Sequence, residues 1–573
     1  VNKKVVSYES EKENFLGQYG DLINPAALQG KPLTCQTGSW NDPIGCLQNE
    51  LVLEAGAEDT IIYHLGLVSE LSEVKGKMAK YDTPEKVAEK LAEVKMMWEE
   101  MLSPLEIETP DASMNLMVNK WLRYQAIAGR LWGRTAYYQQ SGAFGFRDQL
   151  QDSLVWLPID PSGTEKQLKL HAAHQFEEGT VLHWWHPITE TGLPTKMVDD
   201  LLWLPFILSM YVKETGNLSF VEEKVEYYDN KNLIETLYQH SLRAIDVVFS
   251  RLSPRGIPLI GAGDWNDGLS AVGLEFKGES VWMAEFFYFV LVEFAKIAEM
   301  KGDSATTEKL LTGAEKLKAA FNEHAWDGEY FYRGTKDTGE KFGSAENSQG
   351  KIFLNPQTWS VMSDIAPKER QEAALLAVEK HLLRNNGTLL LAPAYSVPDK
   401  YIGYLSRYAP GRRENGGVYM HAATWSIWAF AKAGKPEKAY EVYKGISPVL
   451  NGMDPDLWSA EPYVTPGNID GPDSPNYGRA GWTWYTGSAA WYQKVVVDWI
   501  LGIRAEHEGL LIEPNMPDEW DGFKVKRLFR GCTYNITVHR TQGESLGVYL
   551  VRVNGEDMPS ALLPPLPYKE VDV

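Results

Sequence analysis

Cysteine is nearly missing from this chain: 573 residues hold only Cys35, Cys46 and Cys532. An odd number without metal-ligand spacing argues against a disulfide framework and fits a reducing, cytoplasmic compartment, with the three thiols expected in the core. Long apolar runs are missing too. The longest, Phe286 to Val292, is flanked by Glu285 and Glu293 and falls far short of the ~20 residues a membrane-spanning helix needs, and no secretory leader is recognisable, so a soluble protein is expected. Positive charge is in deficit, with 56 Lys and Arg against 77 Asp and Glu and a formal net charge of −21. That balance excludes nucleic acid and anionic membrane surfaces as partners, because both are repelled by the whole molecule. An anionic ligand therefore needs a local pocket of Arg, Lys, His or backbone N–H groups. No repeat with a period of about 20–50 residues recurs, which argues against a solenoid.

Aromatic residues, by contrast, are plentiful: 20 Trp, 28 Tyr and 19 Phe. Many sit beside polar groups, as in His183-Trp184-Trp185-His186, Glu461-Pro462-Tyr463 and Gly481-Trp482-Thr483-Trp484-Tyr485-Thr486-Gly487. Flat apolar faces next to hydrogen-bonding edges are what a sugar pocket requires. The run Gly261-Ala262-Gly263-Asp264-Trp265-Asn266-Asp267-Gly268 reads as a rigid glycine-flanked loop that projects two acids and an indole together. A carboxyl beside an aromatic plate is suited to breaking a glycosidic bond, since partial desolvation keeps its proton to higher pH. The plainer reading is a surface turn with its own Asx hydrogen bonds.

Four regions follow from the patterning. Residues 1–68 hold short strand-like pieces, Leu51-Val52-Leu53 and Ile61-Ile62-Tyr63-His64-Leu65, and are expected to be part of a β-sandwich. Residues 69–112 form a linker whose helix starts at Thr83-Pro84-Glu85, carries Val87, Leu91, Val94, Trp98 and Met101 at helical spacing, and closes at Pro104. Residues 113–504 are helical wherever regular: Met114–Tyr138, Asp199–Lys213, Ile234–Leu252, Trp282–Met300, Thr306–Phe321, Lys368–Leu383, His421–Ala433, Pro436–Tyr443 and Ser488–Leu501. Helices joined by long loops rich in Gly, Pro, Trp and Asp predict a mainly α protein built on an α/α barrel, with the loops forming a pocket at one end. Residues 505–573 switch to strands. Tyr534, Ile536 and Val538 alternate with polar residues, and Asn554-Gly555 after the run Val548 to Val553 is a hairpin turn, so a small C-terminal β-sandwich is expected.

Further loops concentrate reactive groups. Phe146-Arg147-Asp148-Gln149-Leu150-Gln151-Asp152 could grip sugar hydroxyls or form a charged helix start. The two histidines of His183-Trp184-Trp185-His186 lack close metal-ligating company, so no metal is expected. Arg412-Arg413-Glu414-Asn415 leads towards His421 at a helix start. Taken in order, GFRDQLQD at 145–152, HWWHP at 183–187, DDLLWLP at 199–205, GDWNDG at 263–268, RRENGGVYMHAATW at 412–425, EPYV at 461–464 and GWTWYTGSAAW at 481–491 resemble glycoside hydrolase family ninety-four, the inverting β-glycoside phosphorylases.

The resemblance implies an (α/α)6 barrel with an N-terminal β-sandwich, of which only the last part is recognisable here, a helical linker and a C-terminal β domain. It implies Asp267 as general acid and Trp265 lining the acceptor sugar, with His421, Thr486 and Gly487 binding phosphate. Backbone N–H groups near Gly487 and Ser488, where a helix is expected to begin, favour an anion on independent grounds. Phosphate, already anionic, then attacks C1 opposite the leaving oxygen and gives α-glucose 1-phosphate, without the second carboxylate that a water-using inverting enzyme needs. Arg147, Asp148, Asp152 and Trp184 are candidates for holding the donor glucose. Tyr408, Arg413 and Glu414 are candidates near the acceptor, where Tyr404 and Tyr408 favour a neutral glucoside. Inorganic phosphate is a substrate and no cofactor is implied; a homodimer is expected. Two other readings stand beside this one: an inverting hydrolase with Glu414 or Glu461 as base, and a non-catalytic glycan-binding protein.

Overall fold

The computed structural model describes residues 1–134, 142–541 and 550–573. It divides into two compact units, Val1–Met101 and Leu102–Val573.

In the first unit Val5–Glu11 pairs antiparallel with Pro43–Asn49. The segments Leu51-Val52-Leu53 and Ile61–Leu65, expected as strands, are irregular, with Val52 93% and Leu65 104% exposed. An apolar run becomes a strand only when a neighbour completes its hydrogen-bond ladder, and among the described residues none does so here. A helix does run from Pro84 to Leu102, and its apolar positions Val87, Leu91 and Val94 are exposed. The expectation of three core thiols is corrected: Cys532 is buried, but Cys35 is exposed and Cys46 only partly covered.

The second unit is built on helices whose burial separates them into two sets. Trp203–Thr215, Val281–Met300, Leu354–Ser363 and Met420–Lys432 are buried over most or all of their faces. A helix buried all round has to lie inside. Each packs against the next, Met420–Lys432 packs on Ser488–Val495, and the ring closes through Phe146–Asp152 back onto Trp203–Thr215. Outside them lie helices buried mainly on one side, among them Leu237–Phe249, Ser304–His324, Lys368–His381 and Pro436–Ile446. Indoles fill the middle: Trp359 and Trp425 stand 5.2 Å apart, Trp425 and Trp491 5.8 Å, and Trp203 lies 4.5 Å from Phe286. Much of the tryptophan that pointed to a sugar pocket is therefore core packing, since Trp203, Trp282, Trp359, Trp425 and Trp491 are fully buried.

Helix ends differ from expectation by a few residues, and three helices, Phe146–Asp152, Ser162–Ala172 and Leu354–Ser363, carry no clear apolar period. Buried polar residues such as Gln149, Gln151, Asn355 and Gln357 interrupt it. The helix read as Met114–Tyr138 runs on from Ala112 through two π-type stretches to Trp132, and its expected end at Tyr138 lies outside the described residues. At the C-terminal side the strand order is Glu570–Asp572, Cys532–His539, Gly522–Phe529, Leu105–Glu108, the first pair parallel and the others antiparallel. Leu105–Glu108, assigned from sequence to the linker, is thus an edge strand of this sheet. Arg552–Val553 and Glu556–Asp557 pair around Asn554 and Gly555, both with positive φ, as a two-residue hairpin requires. The start of that expected strand, Val548, lies outside the described residues.

One buried ion pair ties this sheet to the helices: Arg527 Nη2 donates to Glu214 Oε2 at 2.7 Å, with side chains 2% and 8% exposed. Replacing Arg527 by Met leaves the Glu214 carboxylate uncompensated and is expected to cost about 3–5 kcal/mol, read as a lowered urea midpoint.

Candidate functional site

A cavity of about 330 Å³ opens at the end of the ring where the inner helices begin. Arg147 and Asp148 come from the first turn of Phe146–Asp152, His421 from that of Met420–Lys432, and Thr486 and Gly487 directly precede Ser488–Val495. The positive ends of these helix dipoles gather there, which favours bound anions.

The loop 263–268 separates its two acids. Asp264 is fully buried and accepts from Arg333 Nη2 on both oxygens at 2.6 Å. Asp267 reaches the cavity, its side chain 43% exposed, and accepts a short hydrogen bond from Arg147 Nη2. Arg147 also donates to Asp199 Oδ1 at 2.9 Å and to the Asp264 carbonyl at 3.2 Å, and its Nε lies 3.4 Å from Asp200 Oδ1. Three carboxylates thus share one guanidinium. Burial, with the Asp200 charge adding to it, pushes Asp199 up to about 7 in spite of Arg147. His183 Nδ1 pairs with Asp200 Oδ2 at 2.7 Å; burial alone favours the neutral ring, but the carboxylate wins and lifts its pKa to about 9.

Another part of the lining is cationic. Arg130 and Arg134 lie over the Tyr485 ring, 4.5 and 5.0 Å from its centre. Asp148 lines the cavity 3.5 Å from each, and against the upward push of enclosure these two cations hold its carboxyl below the ordinary range. Asp152 is fully buried behind the wall, accepts from Arg130 Nε at 3.0 Å, and is pushed up by burial to about 6. Asp152 therefore anchors a cation rather than lining the cavity. Burial lowers His421 to about 3, so its ring is neutral. Its Nε2 lies 3.0 Å from Gln151 Oε1, which also accepts from Trp491 Nε1. That acceptor fixes the proton on Nε2 and leaves the Nδ1 lone pair towards Gly487, where an added Cβ would stand 3.1 Å from Nδ1.

Trp184, Trp265, Tyr408, Arg413 and Glu414 also belong to the lining. Trp265 packs on Trp425 at 4.6 Å and on His421 at 5.0 Å. Arg413 is sandwiched between Tyr408 and Trp482, 4.8 and 4.2 Å from their ring centres. Both Arg413 and Trp482 take left-handed backbone conformations, φ 50° and 60°, which cost energy for residues other than glycine and cluster at functional sites. Glu414 is 5% exposed and accepts from Asn266 Nδ2 at 3.3 Å; burial and the nearby Asp267 charge push it up to about 7. Glu461 lies away from the lining and accepts from Trp484 Nε1 at 3.0 Å.

Sequence reasoning singled out Asp267, His421, Thr486, Gly487, Arg147, Asp148, Trp184, Trp265, Tyr408, Arg413 and Glu414, and the structure brings all of these to one cavity. It missed Arg130, Arg134, His183, Tyr419 and Tyr485 as wall residues. No local signal marked the two arginines, since the same stretch also carries Lys120, Arg123 and Gln125, and Arg134 lies just past the helix end at Trp132. Among the described residues no group of three or more His, Cys, Asp or Glu is arranged to hold a metal ion, and no helix is long and apolar enough to cross a membrane.

An acid, arginine side chains and aromatic rings thus line one cavity. The chain matches the glycosyl hydrolase 94 superfamily catalytic domain over residues 97–502 and the glycosyl hydrolase 94 supersandwich domain over residues 1–84, and it belongs to that family. It is 36% identical over 563 residues to cyclic beta-(1,2)-glucan synthase NdvB of Rhizobium meliloti, covering 94% of this chain and 20% of that protein. It is 31% identical over 566 residues to solabiose phosphorylase of Paenibacillus borealis, covering 98% of this chain and 72% of that one. The chain thus spans about a fifth of the glucan synthase's length and nearly three quarters of the phosphorylase's. A GH78 family rhamnosidase of Bacillus sp. GL1 shares the fold, with TM-score 0.51 and 13% identity over 76% of this chain and 41% of that one.

Two outcomes follow from this geometry. Gly487→Ala puts a methyl group against the His421 ring and is expected to weaken inorganic phosphate binding by roughly tenfold, about 1.4 kcal/mol, in a calorimetric titration, with the melting temperature unchanged. Glu414 binds its proton more tightly folded than unfolded, so its cost to stability sets in above the ordinary glutamate pKa and grows until about pH 7. Glu414→Gln is therefore expected to gain stability over the parent progressively between about pH 4 and pH 8, by up to about 3 kcal/mol, in denaturant titrations across that range.

Proposed function

We propose that this site carries out inverting phosphorolysis of a β-glucoside, releasing α-glucose 1-phosphate and the shortened sugar, reversibly. The carrying observation is that Asp267 and the recess formed by Arg130, Arg134, His421, Thr486 and Gly487 line the same cavity. We read the closed ring of inner helices as an (α/α)6 barrel, which places the cavity at the mouth of its core. In the reaction Asp267, protonated, donates to the glycosidic oxygen as the bond to C1 breaks, and phosphate attacks C1 from the opposite face. His421, neutral with a free Nδ1, accepts a hydrogen bond from the hydroxyl of monohydrogen phosphate, whose anionic oxygen attacks C1, and the two arginines balance its charge. Arg147, hydrogen-bonded to Asp267, stabilises the carboxylate left after proton transfer.

A hydrolase needs a second carboxylate as base on the far side of the sugar. Glu414 accepts from Asn266, the residue before Asp267, and so stands beside the acid rather than across the sugar from it, while Glu461 is engaged by Trp484 outside the cavity lining, so neither residue suits that role. The acceptor is read as a neutral glucoside of the cellobiose kind. The resemblance to a protein named for cyclic beta-(1,2)-glucan favours a second reading of the acceptor, the end of a β-1,2-linked glucan. Few cysteines and an acidic composition support a cytoplasmic setting; a homodimer without organic cofactor or resident metal completes the proposal.

Asp267→Asn is expected to lower phosphorolysis of β-linked glucose disaccharides by roughly 10²–10⁴-fold while disaccharide binding persists. Parent turnover should vanish when phosphate is omitted. Turnover indifferent to phosphate points instead to hydrolysis, and a parent protein silent with every acceptor and α-glucose 1-phosphate points to a glycan binder.

A further inference from the structure

The loop that ends in Asp267 has little conformational preference of its own, since Gly261 and Gly263 take φ values of 56° and 143°. Something else must set where the acid stands. Arg333, fully buried and outside the cavity lining, makes the connection. Its Nη2 donates to both oxygens of Asp264 at 2.6 Å and to Asn266 Oδ1 at 3.1 Å, and its Nη1 donates to Ser280 Oγ at 3.1 Å. Asp264 in turn accepts from the Asn266 backbone N–H at 3.0 Å and from Ser280 Oγ at 2.7 Å.

The network reaches two inner helices and the far side of the site. Ser280 caps Val281–Met300 by accepting from the Met283 N–H at 3.0 Å. Asn355, in the first turn of Leu354–Ser363, donates to Asn266 Oδ1 at 3.2 Å, and Asn266 donates onward to Glu414. Two neighbouring residues of the loop are thus tied through one guanidinium to the starts of two helices that are themselves buried. Glu285, a buried carboxyl that also feels Arg333, has no hydrogen-bond partner on either oxygen, and burial pushes its pKa well up, so among these two acids only Asp264 is hydrogen-bonded to the cation. Asp267 follows one residue after Asn266 and is itself exposed to the cavity, so its position is inherited from this anchor.

We propose that Arg333 is a positioning residue for the reaction: by clamping Asp264 and Asn266 it sets where Asp267 meets the glycosidic oxygen. This inference rests on Asp267 acting as general acid. A misplacement of about 1 Å costs roughly 10²-fold in rate when a reacting group must be held in line.

The test compares two donors that differ in their need for a proton. A β-linked glucose disaccharide leaves as an alkoxide and needs the acid; 2,4-dinitrophenyl β-glucoside leaves as a stable phenolate and does not. Arg333→Lys keeps the charge but loses the fork. Combining Arg333→Met with Asp264→Asn removes both buried charges together, so neither is left unpaired. Both are expected to lose roughly 10²-fold in kcat on the disaccharide, with KM within about threefold, and to keep phosphate-dependent turnover of the dinitrophenyl glucoside within about threefold of the parent. Asp267→Asn is expected to show the same selectivity between donors. Equal losses on both donors, unchanged disaccharide turnover, or failure of both variants to fold in circular dichroism melts overturns the proposal. If Asp267→Asn itself shows no selectivity while the Arg333 variants do, the assignment of the acid fails instead.

Discussion

One guanidinium, that of Arg147, is shared by Asp199, Asp200 and Asp267, and the chemistry of the cavity follows from that imbalance. Three buried or half-buried carboxyls cannot all stay ionised around a single cation in a poorly solvated site. Asp199, as fully buried as Asp200, relieves the excess by a raised pKa, and Asp200 takes a second cation, His183. Asp267 is the member left at the cavity edge, where a sugar hydroxyl can replace the arginine. For the proposed reaction this placement suits an acid, since Arg147 is at hand for the carboxylate left after proton transfer.

The same logic, with signs reversed, shapes the cationic part of the lining. Arg130 and Arg134 stack on Tyr485 and are partly neutralised by Asp148 and Asp152, so the protein holds two cations ready for an anion without leaving bare positive charge in its interior. The helix starts around the cavity add their dipoles to this field. Indoles packed inside the ring give those helices a rigid footing, so the positions of the charged groups are inherited from the core rather than from the loops alone.

Much of the site was legible because its motifs are local. Asp267, Trp265, Glu414, His421, Thr486 and Gly487 stand in short runs where glycine, aromatic and acidic residues crowd together, and the helices near them have long apolar periods. What was not legible depends on partners far away in sequence. Arg130 and Arg134 look like the solvent side of a helix until Asp148, Asp152 and Tyr485 are brought against them. Arg333 has no local motif, and only the family resemblance, not the residues themselves, told Asp267 from Asp264 before one proved to be buried against Arg333 and the other open to the cavity. Tryptophan misled in part, since the same residue fills the core and plates the cavity. The strand reading of residues 51–65 failed because apolar alternation says nothing about whether a neighbouring strand is present.

The central claim is that a carboxyl on one side of a sugar ring faces an anion recess on the other, so that the bond to C1 must invert. Proton and phosphorus magnetic resonance of the first product formed from a β-linked glucose disaccharide and inorganic phosphate reads this directly. The account predicts α-glucose 1-phosphate as the initial product. β-Glucose 1-phosphate, or free glucose with phosphate unconsumed, contradicts it.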